Sequence, residues 1–163
     1  MATGIRVGIG FDIHRLGGGR RLMIAGVLVP HTLGALAHSD GDVVLHAVAD
    51  AVLGATGLGD LGEHFPDSDP RWAGADSALL LAAVVELARR NGWRASSADV
   101  NVLLEAPKLG KHKEAMRRRL SDLLGVTMDA VGIKARTMEG LGPIGAGQAV
   151  AAQAVVLLER QQP

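Results

Sequence analysis

Cysteine and tyrosine are absent from the 163 residues, and aromatic side chains make up only 2% of them. The missing cysteine excludes disulfides and thiolate metal sites, so any metal must be held by His, Asp or Glu. With few aromatics, the 48% of the chain that is apolar must build its core from Ala, Val and Leu, which suits helices packed closely on a sheet. An excess of charge is missing too. Lys+Arg and Asp+Glu are both 17, so the chain lacks the strongly basic balance that marks nucleic-acid binders, and little charge opposes self-association. The most apolar run, "ALLLAAVVELA" at 78–88, carries Glu86 and is too short to span a bilayer. The opening "MATGIRVGIG" has no charged segment leading into an apolar one. A cytoplasmic protein with no membrane partner is the expectation, with residues 1–163 as a single domain.

The pattern along the chain predicts a strand over 5–13, short strands near 21–25 and 27–30, and a loop through "LGALAHSDGD". Ser39 and Asp40 there are suited to cap a helix over about 41–57, whose apolar positions recur at helical spacing. "GLGDLGEHFPDSDPRW" reads as a long Gly-, Asp- and Pro-rich loop. A helix over about 75–91 closed by Asn91–Gly92, a strand in "ADVNVLLEAP", a helix over 110–124 and a strand in "VGIKARTME" follow. The apolar segment after "GLGPIGAGQ" is ambiguous in type, and a strand is favoured. This order predicts an α/β sandwich: a mixed four-stranded main sheet with helices on one face, plus a small hairpin.

Chemistry concentrates in a few places. In "GFDIHRL", Asp12 and His14 are two residues apart and project from the same side of a strand. Such a pair is half of a metal site, or an ion pair at a strand end. If His46 faces that strand, two imidazoles and a carboxylate make a three-ligand set with a position left for substrate. Asp42 and Asp50, one turn either side of His46, would then orient its ring; the other reading is a solvated helix face. His38–Ser39, just before the helix, could hold a phosphate, although taken alone the pair favours simple capping by Ser39. Glu139 beside a glycine-rich turn suits magnesium or is only a strand-end residue. Asp60, Asp67 and Asp69 are by default Asx-turn residues. "GIG" at 8–10 lacks the third glycine of a dinucleotide fingerprint, no GxSxG context supports a serine nucleophile, and the basic run from Lys108 to Arg119 reads as a solvated face.

"GFDIH", "LAHSDGDVVLHAVADAVLGATGLGDLGEHFPDSDPRW", "EAPKL" and "KARTMEGLG" occur in this order across nearly the whole chain. Together they resemble the 2-C-methyl-D-erythritol 2,4-cyclodiphosphate synthase family of the non-mevalonate isoprenoid pathway. The resemblance implies a homotrimer with active sites between neighbouring subunits. It also implies the cyclisation of 4-diphosphocytidyl-2-C-methyl-D-erythritol 2-phosphate with loss of CMP. Asp12, His14 and His46 match the family's zinc ligands, Glu139 its magnesium (or manganese) ligand, and His38 and Thr137 the residues that stabilise the transition state. The matching substrate contacts are Asp12, His14, His38, Ser39, Asp60, Leu61, Gly62 and the stretch Phe65, Pro66, Asp67, Ser68 and Asp69. Ala106, Pro107 and Lys108 match the cytidine surroundings, and Arg136, Thr137, Met138 and Glu139 complete the set.

The resemblance is weakest from Arg136 to Ala149, where "RTMEGLGPIGAGQA" stands against the usual "TTTEKLGFTGRGEG". Ala146 replaces the usual arginine, which predicts weak binding in the isoprenoid-diphosphate cavity that the resemblance implies on the trimer axis. Arg136 is expected to supply replacement charge at the active site. Two other readings belong to different classes: a metal-dependent diphosphate hydrolase, and a catalytically silent phosphate-binding trimer, against which the intact ligand set argues.

Overall fold

The computed structural model describes residues 4–161. Its central feature is a mixed sheet of five strands, not the four that the sequence pattern predicts. Strands β1 (Ile5–Gly18), β4 (Leu33–Leu36), β5 (Trp93–Leu103), β6 (Val131–Arg136) and β7 (Ala149–Arg160) lie in the order β4-β1-β7-β5-β6. Only β5 and β6 run parallel; the other pairs are antiparallel. The extra strand is β4, from the predicted loop. Its four residues include Gly34 and Ala35, too few and too small for a strand pattern, yet Leu33 to Leu36 pair with Gly18 to Arg15. The small hairpin of β2 (Leu22–Ile24) and β3 (Val27–Val29) is as expected.

Three long helices cover one face: α1 (Val43–Thr56), α3 (Ser77–Arg90) and α4 (Lys113–Leu124). α1 is apolar nearly all round and buried along most of its length, as a helix between a sheet and a second helix must be. α3 buries Ala78, Leu81, Val84 and Ala88 at helical spacing and turns Glu86, Arg89 and Arg90 outward. The core forms where these apolar stripes meet Val100, Val102, Val150, Ala152 and Val156 of the sheet. β7 lies at the centre of that sheet with a nearly continuous apolar sequence. This explains its ambiguity: Ala149–Ala152 are all buried, and beyond them the outward positions 155 and 157 are also apolar, so the sequence shows no alternation although the burial does.

The cap of α1 is Asp42, rather than Ser39 or Asp40. Asp42 Oδ1 accepts from Val44 N at 3.1 Å, Leu45 N at 3.2 Å and Ala25 N at 2.9 Å, while Oδ2 accepts from Gly26 N at 2.6 Å. One buried carboxylate therefore closes the helix N-terminus and fastens the β2–β3 turn to it. Burial pushes this carboxyl up from its ordinary value, and the backbone N–H donors pull against that shift. Asp42 consequently does not reach the His46 ring.

The long loop is organised by single-turn elements. α2 (Leu61–His64) is capped by Asp60, and a 3-10 turn at Pro70–Trp72 is capped by Asp69. The remaining short helix, α5 (Gly142–Gly145), lies in the divergent glycine-rich segment.

The alternation of β1 positions the site. Its even-numbered residues 8, 10, 12 and 14 point toward α1, while Ile5, Val7, Ile9, Phe11 and Ile13 point away and are exposed. "GIG" has a packing role: a Cβ on Gly8 or Gly10 would stand 1.8 Å from the carbonyl oxygens of Ala51 and Ala47, respectively. The two glycines let α1 press directly onto β1. The next two residues on that face are then Asp12 and His14, and the residue of α1 beside them is His46.

Candidate metal centre

His46 Nδ1 lies 2.8 Å from Asp12 Oδ2, and His14 Nε2 lies 3.0 Å from the same oxygen. The two ring nitrogens are 3.3 Å apart. Among the described residues, these three form the one group of potential ligands whose donor atoms all fall within 4.8 Å of one another. Two imidazole nitrogens this close would turn lone pair to lone pair unless a cation or proton lay between them. The surrounding charge points the same way. Burial alone would raise the Asp12 carboxyl, but hydrogen bonds and charge from His14 and His46 hold it well below the usual carboxylate range. Burial disfavours a charged His46 ring, yet Asp12, Asp42 and Asp40 together push its pKa up. The site favours positive charge, and its N,N,O donor set suits a divalent metal.

The triad opens into a cavity of about 680 Å³. Of the expected substrate contacts, His38, Ser39, Leu61, Gly62, Phe65 and Asp67 line it. Phe65 packs edge-on against Trp72, with ring centroids 5.0 Å apart. Asp60 and Asp69 lie on the same loop, but their carboxylates are occupied as caps: Asp60 accepts from Glu63 N at 2.9 Å, and Asp69 also holds the Arg71 guanidinium at 2.6 Å. Pro66 and Ser68 form the turn between them, where Asp69 N donates to Pro66 O. Asp50 accepts from Leu61 N at 2.7 Å, and burial raises its carboxyl above the ordinary value. It anchors the loop rather than orienting His46, which corrects the expectation for both flanking aspartates.

The other predicted residues lie elsewhere. Pro107 and Lys108, with Pro30 and His112, line a separate hollow of about 450 Å³; Ala106 beside them is exposed. Arg136 and Thr137 are exposed where β6 ends. Thr137 Oγ1 donates to Glu139 Oε1 at 3.3 Å, and Glu139 holds φ at 52°, strained for a residue with a side chain. Met138 packs against Ile144, Ala149 and Ala151, and its N–H donates to Glu105 at 2.9 Å. In register, His14 pairs with Val150, and Leu103 pairs with both Ala151 and Arg136. The two groups therefore share one end of the sheet but are separated by three strand spacings, roughly 14 Å.

Three further residues belong to the site, and no sequence pattern marks them. Arg20, after a glycine run, brings a cation to the cavity and donates to Ala37 O at 2.9 Å. Trp72 lines the same cavity. Ser77 Oγ lies 2.8 Å from His46 Nε2. "ADS" at 75–77 offered only a helix-start signal.

A sequence model of the YgbB family matches residues 5–159, nearly the whole chain. The chain belongs to the YgbB family. A relative from Xanthomonas axonopodis pv. citri, named 2-C-methyl-D-erythritol 2,4-cyclodiphosphate synthase, is 54% identical over 160 residues, covering 98% of this chain and 96% of the relative. A relative of the same name from Nostoc is 51% identical over 158 residues, covering 97% of this chain and 96% of its own. Among solved structures, a 2C-methyl-D-erythritol-2,4-cyclodiphosphate synthase in its CDP-bound form matches with a TM-score of 0.87 at 45% identity, covering 94% of this chain and all of that one. The bifunctional IspDF from Campylobacter jejuni matches with a TM-score of 0.93 at 39% identity; this chain is covered to 98% but spans only 43% of that longer one.

Proposed function

We propose that this YgbB-family chain converts 4-diphosphocytidyl-2-C-methyl-D-erythritol 2-phosphate to 2-C-methyl-D-erythritol 2,4-cyclodiphosphate and CMP, as one cytoplasmic catalytic domain. The observation that carries the reading is the Asp12–His14–His46 triad at the mouth of a cavity walled by His38, Ser39 and the 61–72 loop. The relatives at 51–54% identity bear the corresponding enzyme name, and the CDP-bound neighbour supports a cytidine nucleotide as ligand.

The residue types suit the chemistry. The nucleophile is the substrate's own phosphate, anionic near neutral pH because its second pKa is about 6, so the protein need not supply a general base. Its work is to bend the substrate into a ring-closing pose and offset charge. Asp12, His14 and His46 would hold a zinc ion, which when bound supplies Lewis-acid polarisation of a phosphoryl oxygen. His38 and Thr137 donate to the charge that develops as CMP leaves. Glu139 offers a carboxylate to the magnesium or manganese carried by the diphosphate, an ion that typically takes one or two carboxylates plus phosphate oxygens. Ala106, Pro107 and Lys108 would border the cytidine.

A homotrimer with shared sites explains the separation within one chain. Thr137 and Glu139 sit three strands from the triad, so a neighbouring copy is the natural source of the second half-site. The apolar face of β1 supplies the contact: Ile9 is 64% exposed and Phe11 53%, beside exposed Val7, Ile13 and Val155, a larger patch than isolated surface apolar residues explain. Phe11→Asp is expected to convert the trimer to the 16.9 kDa monomer in light scattering, with turnover lost in step. An unchanged trimer would reject this face as the interface.

The reaction itself is tested by phosphorus NMR of products formed with and without zinc and magnesium. Metal-dependent CMP plus the cyclic diphosphate is expected. CMP with an open-chain product would identify a hydrolase instead.

A further inference from the structure

We propose that Ser77, held by Asp40, is a positioning residue that fixes the tautomer and orientation of His46 for metal binding. The inference rests on the metal reading of the triad and extends it to two residues outside the ligand set.

The argument begins with which nitrogen faces the ligands. His46 Nδ1 points at Asp12 and His14, so it is the atom that must offer a lone pair to a metal. A neutral imidazole with a free Nδ1 carries its proton on Nε2. That nitrogen lies 2.8 Å from Ser77 Oγ. Ser77 Oγ donates to Asp40 Oδ1, and Ser77 N donates to Asp40 Oδ2 at 3.1 Å. A hydroxyl has one proton, and here a carboxylate takes it. Toward His46, Ser77 can therefore only accept, and only the Nε2–H tautomer satisfies the contact.

The arrangement is built rather than incidental. Ser77 is 1% exposed and stands outside the cavity lining. Its hydroxyl is not needed to start α3, because Asp76 caps that helix through Ala78 N. Asp40 N donates to Ala75 O, and Gly74 N donates to His38 O, so the segment before α1 is tied to the segment before α3. Ser39 Oγ is also near Nε2, at 3.2 Å, but it accepts from Gly41 N as well and lines the cavity. It faces the substrate, whereas Ser77 faces only His46 and Asp40. The result is a carboxylate–hydroxyl–imidazole chain ending on the metal ligand, a support whose loss typically costs about 10–100-fold in metal affinity.

The test is zinc affinity by competition with a chromogenic chelator, for the wild-type protein, Ser77→Ala and Ser77→Thr, alongside melting of each metal-free protein. Ser77→Ala should bind zinc about 10–100-fold more weakly, while Ser77→Thr, which keeps the hydroxyl, should restore most of the loss. In zinc-loaded protein with ¹⁵N-labelled histidine, His46 should show a slowly exchanging Nε2 proton, whose exchange with water becomes fast in Ser77→Ala. Wild-type affinity in Ser77→Ala would overturn the proposal, as would equal losses in the alanine and threonine variants. So would absence of the Nε2 proton from the wild type, a result that holds even if both variants fail to fold. A wild type that binds no zinc would instead overturn the metal reading, and this proposal with it.

Discussion

His46→Ala is expected to lose bound metal and turnover together. The variant removes one of three ligands at the point where β1 and α1 meet, leaving Asp12 and His14 two residues apart on a single strand. A bound divalent ion contributes several kcal/mol of charge stabilisation in phosphoryl chemistry, so turnover should fall by about 10³-fold or more. Metal content by mass spectrometry should drop with it. The fold should survive, because the ring sits where the helix meets the cavity and its removal leaves Val43, Val44, Ala47 and Val48 packed in the core. A His46→Ala protein that keeps one metal per chain and most of its rate would remove the triad from the mechanism.

Gly10→Ala is expected to have the largest effect on stability, and through it on the site. The added methyl would meet Ala47 O at 1.8 Å and Ala51 N at 2.9 Å. Both are backbone atoms of α1, so no side-chain rotation relieves the clash and the helix must lift from the strand. Overpacking of this kind costs about 3 kcal/mol at the upper end of its usual range, which lowers the melting temperature by roughly 6–12 °C in a chain of this length. Because His46 precedes Ala47, the same displacement draws its ring from Asp12, and zinc affinity should fall as well. Gly54→Ala is the matched control. It lies in the same helix with nothing within 4 Å of the new methyl, and it should be neutral or stabilising by up to about 1 kcal/mol. Equal melting of the two variants would show that close approach of α1 to β1 is not what assembles the site.

Gly10 and its neighbour on the same face, Gly8, also show where the sequence is informative and where it is not. Period-2 spacing placed Asp12 and His14 on one side of a strand, and period-3.6 spacing placed His46 on a helix. Neither period says that the two elements touch. That contact depends on Gly8 and Gly10, whose short pattern drew attention only as an incomplete nucleotide motif. Resemblance to a family supplied the missing link, because it spans strand and helix at once. β4 escaped notice because Leu33 to Leu36 form too short and too small-chained a strand to show alternation. Helical spacing alone points the flanking aspartates Asp42 and Asp50 at His46. In the structure, Asp42 is drawn to the unpaired N–H groups of the helix start and the β2–β3 turn, and Asp50 to Leu61 N. Ser77 illustrates the opposite failure. It is 31 residues from His46, and no local pattern links a helix-start serine to a distant imidazole.

The measurement that bears most directly on the account is turnover in ¹⁸O-labelled water. The proposed attack by the substrate's own phosphate breaks the diphosphate bond to CMP and forms the ring without water. Neither CMP nor the cyclic product should therefore carry label after complete conversion by the metal-loaded enzyme. One ¹⁸O per turnover in either product would mean that the triad and its cavity deliver water to phosphorus, and would contradict the cyclase reading.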